Sequence, residues 1–133
     1  MHMQLHKHCE AIIFDSNILI AIEQKKADVF SMARQLFGER VQFGVTRQVL
    51  QELHELQGRG KTMQREVKIA LMALRKEKAK VIRVEAGNAD DSLVEAAGKG
   101  YCIASNDRAL RKRIKGFGAA IIYLSKEKLL KVA

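Results

Sequence analysis

The chain contains no proline and no tryptophan, aromatic residues make up only 5% of it, and it has just two cysteines. The missing proline has no evident physical reason. The shortage of aromatics argues against a base-stacking platform as the main means of holding a ligand. No apolar run approaches the roughly 18 residues needed to cross a membrane, and no secretory signal is visible, so the chain reads as soluble, intracellular and cytoplasmic. Cys9 and Cys102 each lie beside or within an apolar run, which predicts buried free thiols and no disulfide. Acidic residues are also scarce: 15 stand against 24 lysines and arginines, a net charge of +9.

Such an excess favours a polyanionic partner such as nucleic acid, and its distribution sharpens the point. Between Lys61 and Arg83 eight basic residues face two acidic ones, and from Arg108 to Lys131 the count is eight to one. A chain of 133 residues with 47% apolar content is most simply one domain. Residues 1–10, with His2, His6, His8 and Cys9, read as a flexible N-terminal segment, because the histidine–cysteine spacing matches no strong zinc pattern. Residues 11–133 form the single domain, without repeats, low-complexity stretches or an interdomain linker.

Short apolar runs alternate with helical periodicity along that domain. Ala11–Phe14 reads as a strand buried on both faces. Asp28 opens a helix in which Val29, Ala33, Leu36 and Phe37 repeat at three and four. Val41–Val45 alternates as a strand, and Thr46 caps a helix striped by Val49, Leu53 and Leu56. Gly58-Arg59-Gly60-Lys61 reads as an exposed, mobile basic loop, followed by a long helix through Leu74. Val81–Val84 is a third strand; Asn88 or Asp90 caps the next helix; Tyr101–Ala104 and Ala120–Leu124 are strands either side of a helix over 107–114. Ser125 is expected to cap a terminal helix through Leu130, and Tyr101 and Tyr123 to lie in the core. Five strands alternating with helices predict an α/β fold, a three-layer α/β/α sandwich on a central parallel five-stranded sheet.

In such a sheet, functional groups gather beyond the carboxyl ends of the strands. Asp15 follows the first strand and Asp107 follows the fourth, so both emerge at that edge. Asp90 and Asp91 follow the third by one short loop. Glu52 lies inside a helix, about 60° from Val49 at the border of the apolar stripe, while Glu55 lies farther round toward solvent. Each acid taken alone reads as a turn residue, cap or surface carboxylate. As a set on one edge of a basic protein they would repel one another unless a hard cation relieved the charge.

These positions resemble those of a known family. Asp15-Ser16-Asn17 after a strand is similar to the opening motif of PIN-domain ribonucleases, Gln51-Glu52-Leu53 to their glutamate position, Asp91-Ser92-Leu93-Val94 to their central aspartate motif, and Ser105-Asn106-Asp107 to their last acidic motif. The ordered set spans roughly 11–124. The second half, with Ala89-Asp90-Asp91, Asp107 through Arg113 and Ile121–Leu124, most resembles the PIN nucleases of small-subunit ribosomal RNA processing. Toxin PIN nucleases usually lack the Leu110-Arg111-Lys112-Arg113 ending. Val45-Thr46 stands where the family commonly has a proline, and the long extra segments of the eukaryotic processing factors are missing, which fits an archaeal or bacterial protein.

The resemblance implies a hydrolase: an endoribonuclease that cleaves single-stranded RNA, precursor ribosomal RNA included, with Mg²⁺ or Mn²⁺. Asp15, Asp91 and Asp107 would hold one or two ions, and Glu52 would complete the pocket and orient the attacking water. Wheel geometry puts Asp90 nearer the apolar face of its helix while the family motif assigns the role to Asp91; Asp90 is then an assisting ligand. Asn17 and Ser105 would hold acids or water in place. Arg108, Arg111, Lys112, Arg113 and Lys115 would grip the RNA backbone, with Arg59 and Lys61 as a second contact. Two other readings stand beside this one: an RNA-binding assembly factor with little cleavage, and a toxin paired with an antitoxin. Homodimers are common in the family. A phosphatase on a similar sheet is remote, because its nucleophile pattern wants an aspartate where Asn17 stands.

Overall fold

The structure, a computed structural model, describes residues 9–133. Six strands form one sheet in the order β3 (Lys80–Ile82), β2 (Gln42–Thr46), β1 (Ala11–Phe14), β4 (Cys102–Ala104), β5 (Ile121–Leu124), β6 (Leu130–Val132). The first five run parallel, and β6 returns antiparallel to β5. Helices α1 (Ser16–Gln24), α2 (Val29–Phe37), α3 (Arg47–Leu56), α4 (Lys61–Lys76), α5 (Ala89–Gly98) and α6 (Arg108–Lys115) flank it. The layered, mostly parallel α/β architecture is the one the strand–helix alternation predicts.

The centre of the sheet follows from its composition. Ile12, Ile13 and Phe14 of β1 are completely buried, as a strand covered on both faces requires. The rings of Phe14, Phe30 and Phe43 meet with centroids 4.8–5.7 Å apart, joining β1, β2 and α2. Gly44 has a steric reason: a Cβ there would come within 2.7 Å of the Ile13 Cδ1.

Three features depart from the sequence pattern or are absent from it. First, no helix follows Ser125. Residues 125–129 make a hairpin turn with Lys128 at φ 65°, closed by Ser125 N donating to Leu129 O at 2.8 Å, and β6 pairs Leu130 with Leu124. Leu130 is buried and Lys131 exposed, the two-residue period of a strand, but three residues are too few to display it in sequence. Second, α1 begins directly after β1. Ile18, Leu19, Ile20 and Ala21 are all buried, so the middle of the helix has no polar position whose periodicity could announce it. Third, the basic loop is partly helical: Gln57–Arg59 make a 3-10 turn and Lys61 opens α4, with Arg59 and Lys61 exposed as expected.

The expectation of free cysteines is corrected. Cys9 and Cys102 form a disulfide with their Cα atoms 5.9 Å apart, tying the chain two residues ahead of β1 to the start of β4. The flanking strands are neighbours in the sheet, with Ile12 opposite Cys102, but the cysteines are 93 positions apart in sequence. Only the strand order brings them together. Cys9 is therefore unavailable as a thiolate, and His2, His6 and His8, like most of the expected flexible segment, lie outside the described residues. A bridge closing so long a loop removes about 4–5 kcal/mol of denatured-state entropy by the chain-entropy estimate. Reduction, or Cys102→Ser, is expected to lower the unfolding free energy by about 2–5 kcal/mol in denaturant titration, and equal midpoints with and without reductant would contradict this.

Candidate active site

The strand order reverses at β1: β2 and β3 extend one way, β4 and β5 the other. A crevice opens outside the carboxyl ends of the strands at such a point. Asp15 stands at the end of β1 and Ser105 at the end of its neighbour β4. The Asp15 N–H donates to Ala104 O at 2.8 Å, holding the two strand ends together.

Asp15 caps α1. Its Oδ1 accepts from the Ser16 N–H and its Oδ2 from the Ser105 hydroxyl, both at 2.7 Å. The side chain is buried, and burial pushes its carboxyl up to about 6; the two hydrogen bonds oppose the rise, and the negative charges of Glu52 and Asp90 add to it. Ser105, fully buried, also accepts from the Asp107 N–H at 3.1 Å. One hydroxyl thus fixes the first acid and the start of the segment carrying the last.

Asp107 caps α6, its Oδ1 accepting from the N–H groups of Ala109 and Leu110. Glu52, half-buried on α3, accepts from the Ser16 hydroxyl at 2.5 Å through Oε1. Glu55, one turn on, is exposed. Asp90 lies in the first turn of α5, and its carboxyl is raised first by partial burial and then by the charges of Asp107 and Glu52. Glu52 and Asp90 thus act on Asp15, and Asp107 and Glu52 act on Asp90, with a smaller contribution from Asp91.

Asp91 is turned elsewhere. Its Oδ1 accepts from Arg113 Nη2 at 2.7 Å and its Oδ2 from Asn88 Nδ2 at 3.0 Å, and these two donors hold its carboxyl below the usual range. The helix explains the division, since adjacent residues point about 100° apart. With Asn88 Oδ1 capping the Asp91 N–H, Asp90 faces the crevice and Asp91 faces α6.

Two positioning groups went unnoticed in the sequence. Ser16 reaches Glu52 across 36 positions, which no local pattern announces. Asn106 bonds both the N–H and the carbonyl of Leu124, at 2.8 and 3.1 Å, pinning the loop before α6 to the end of β5. Its signal was the Ser105-Asn106-Asp107 run, where only the flanking residues drew attention. Asn17 is exposed and accepts a long 3.4 Å bond from the Asn106 N–H.

The cations separate into groups. Arg108, Arg111, Lys112 and Lys115 line an open groove of about 580 Å³ that begins one residue beyond Asp107. Arg111 lies over the ring of half-buried Tyr123, 4.9 Å from its centroid, so that tyrosine is a surface platform for a cation and not the expected core residue. Arg113 pairs with Asp91, and Arg59 and Lys61 sit beyond the end of α3, lining no part of the groove.

Clustered carboxylate oxygens, with Asp15 and Asp90 raised by burial and by neighbouring negative charge, are the hard donor chemistry a Mg²⁺- or Mn²⁺-type cation fits. No three His, Cys, Asp or Glu side chains among the described residues form a ready-made ligand set. The fit is therefore to an ion that keeps several waters and takes few carboxylates directly.

A doubly wound sheet with clustered carboxylates at its switch point, one of them capping a strongly cationic helix, defines a class of α/β proteins suited to anionic ligands. Residues 12–127 match the family described as PIN like domain, and the chain belongs to it. It is 34% identical over 121 residues to Ribonuclease VapC9 of Archaeoglobus fulgidus, covering 87% of this chain and 84% of that protein. The solved structure of the PIN domain endonuclease Utp24 shares the fold, with a TM-score of 0.74 at 24% identity over 92% of this chain and 90% of that one.

Proposed function

We propose that this chain is an endoribonuclease that cleaves single-stranded RNA with the help of Mg²⁺ or Mn²⁺. The observation that carries the reading is the field of carboxylates around Asp15 and Asp90, with Asp107 capping the helix whose cations line the groove. Asp15, Asp90 and Asp107 are the residues to hold the ion, with Asp90 taking the place expected of Asp91. When bound, such an ion supplies a water of lowered pKa and neutralises charge on the scissile phosphate. Glu52, fixed by Ser16, is placed to orient the attacking water and take its proton. Ser105 fixes the orientation of the Asp15 carboxylate by donating to its Oδ2. Arg108, Arg111, Lys112 and Lys115 bind phosphates along the strand, and Arg113 supplies a further cation at the rim.

The test is cleavage of short unstructured RNAs with Mn²⁺ or Mg²⁺ and with a chelator. Cleavage is expected only with metal, and undiminished cutting in chelator sinks the metal assignment. Binding without cleavage across several metals would favour an RNA-binding assembly factor. Reversing Lys112 and Lys115 to Glu is expected to weaken binding about tenfold or more and flatten its dependence on salt. An unchanged salt slope would remove α6 from the interface.

For the cellular role, the 34% identity to a VapC ribonuclease over most of both chains favours a cytoplasmic toxin restrained by an antitoxin. The likeness to Utp24 supports the shared fold alone, so ribosomal RNA processing is the second reading. Growth arrest on expression, relieved by an adjacent small reading frame, separates them. Among the described residues no helix is long and apolar enough to cross a membrane.

A further inference from the structure

A cavity of about 270 Å³ opens beside the acid cluster, between α3 and residues 87–89. Its helical wall is Gln48, Gln51, Glu52 and Glu55. Their spacing of three, four and seven is one face of a helix, here entirely polar. Glu52 belongs to both the acid cluster and this wall, so whatever fills the cavity sits next to that cluster.

The walls are held in place. Gln48 Nε2 donates to Val84 O and Ala86 O at 3.1 and 2.7 Å, stapling α3 to the segment leading into residues 87–89. The Asn88 amide is spent on Asp91 at both ends. Gln51 and Glu55 are different: both are exposed and neither makes a side-chain hydrogen bond or ion pair among the described residues. An unpaired carboxylate in a chain of charge +9, on the wall of a cavity touching the acid cluster, is an acceptor without a donor. At Gly87 a Cβ would meet nothing within 4 Å, so the absent side chain leaves the mouth open.

We infer that this cavity is a nucleobase subsite selecting guanine beside the cleaved phosphate, with the Glu55 carboxylate accepting from guanine N1–H and N2–H₂. The inference rests on the endoribonuclease reading above. In single-stranded RNA the Watson–Crick edge is free to be read. Guanine alone presents two adjacent donors there, which match the two oxygens of a carboxylate. Adenine and cytosine each present one amino group beside a ring acceptor, and uracil flanks its single N–H with carbonyls that a carboxylate repels. The Gln51 amide can donate to guanine O6. No aromatic residue lines the cavity, so selection is by hydrogen bonding and not by stacking.

Two measurements test it. In chelator, titrations of the intact protein with 5′-GMP, AMP, CMP and UMP, followed by NMR, should show GMP binding about tenfold more tightly than the others. With metal, oligouridylates carrying a single G should be cut next to that G about tenfold faster than elsewhere. Glu55→Gln should abolish both preferences, and Gly87→Leu, which fills the mouth, should do the same. Equal affinity for the four nucleotides, or an undiminished guanine preference in Glu55→Gln, overturns the subsite. If no RNA is cut but GMP binds selectively and Glu55→Gln removes that selectivity, the subsite stands and the nuclease reading falls. Cleavage without base preference does the reverse.

Discussion

Asp15→Asn is expected to lower metal-dependent RNA cleavage on the order of 100-fold or more while leaving the protein folded. The two effects have one cause. Asp15 is buried with its carboxyl raised to about 6 from an ordinary 3.8, a shift worth about 3 kcal/mol. A folded-state pKa above the unfolded one means the folded protein holds the proton more tightly. The stability associated with that proton is fully present below about pH 3.8 and is lost as pH rises through about 6. At neutral pH the ionised carboxylate is a cost that a bound cation would relieve. Asn carries no charge, keeps an oxygen for the Ser16 N–H, and offers Nδ2 to the Ser105 oxygen. In chelator the variant should therefore be at least as stable as the wild type near about pH 8, with the difference closing toward about pH 4. At limiting metal, wild-type activity should fall as pH drops through about 6, where the metal-free Asp15 takes up its proton, and saturating metal should move that fall to lower pH. Thermal melts at the two pH values and a cleavage profile check this. Equal cleavage by both proteins would remove Asp15 from the site, and a pH-independent loss of stability would show that its charge is not the cost.

Exchanging the neighbouring acids of α5 one at a time should give unequal results. Asp90→Asn is expected to reduce cleavage by about 100-fold, because Asp90 shares its field with Asp107, Glu52 and Asp15. Asp91→Asn should cost less than about tenfold, and mainly in KM, because Asp91 is committed to Arg113 and Asn88. Losing that anchor frees Arg113 at the rim of the site without removing a crevice carboxylate. The unfolding midpoint should change little, since the Asp91–Arg113 pair is half exposed. An Asp91→Asn variant as inactive as Asp90→Asn would return the metal-facing role to Asp91.

This pair shows where one-dimensional reading stops. The Asp90-Asp91-Ser92-Leu93-Val94 motif is legible, and so is the helix it opens. Which carboxylate faces the crevice depends on Arg113, 22 positions away, and on how α5 packs against α6. A wheel drawn from the sequence pointed to Asp90, and motif alignment to Asp91. The packed structure supplies the partner that neither method contains.

Other residues divide the same way. Ala11–Phe14 is apolar without interruption, so a doubly covered strand ending at Asp15 was readable from composition alone. Glu52 at the edge of its stripe and Glu55 beyond it were readable from helical period. The basic run of α6 was readable as charge. Local pattern determines these features because a strand or helix must match its own periodicity to what it buries. The Cys9–Cys102 bridge, the Ser16–Glu52 hydrogen bond, the Asn106 tether, the return strand β6 and the gap between α3 and Gly87 were decided only by tertiary structure. Each depends on which elements lie side by side, and adjacency in a parallel sheet is set by crossovers many residues long.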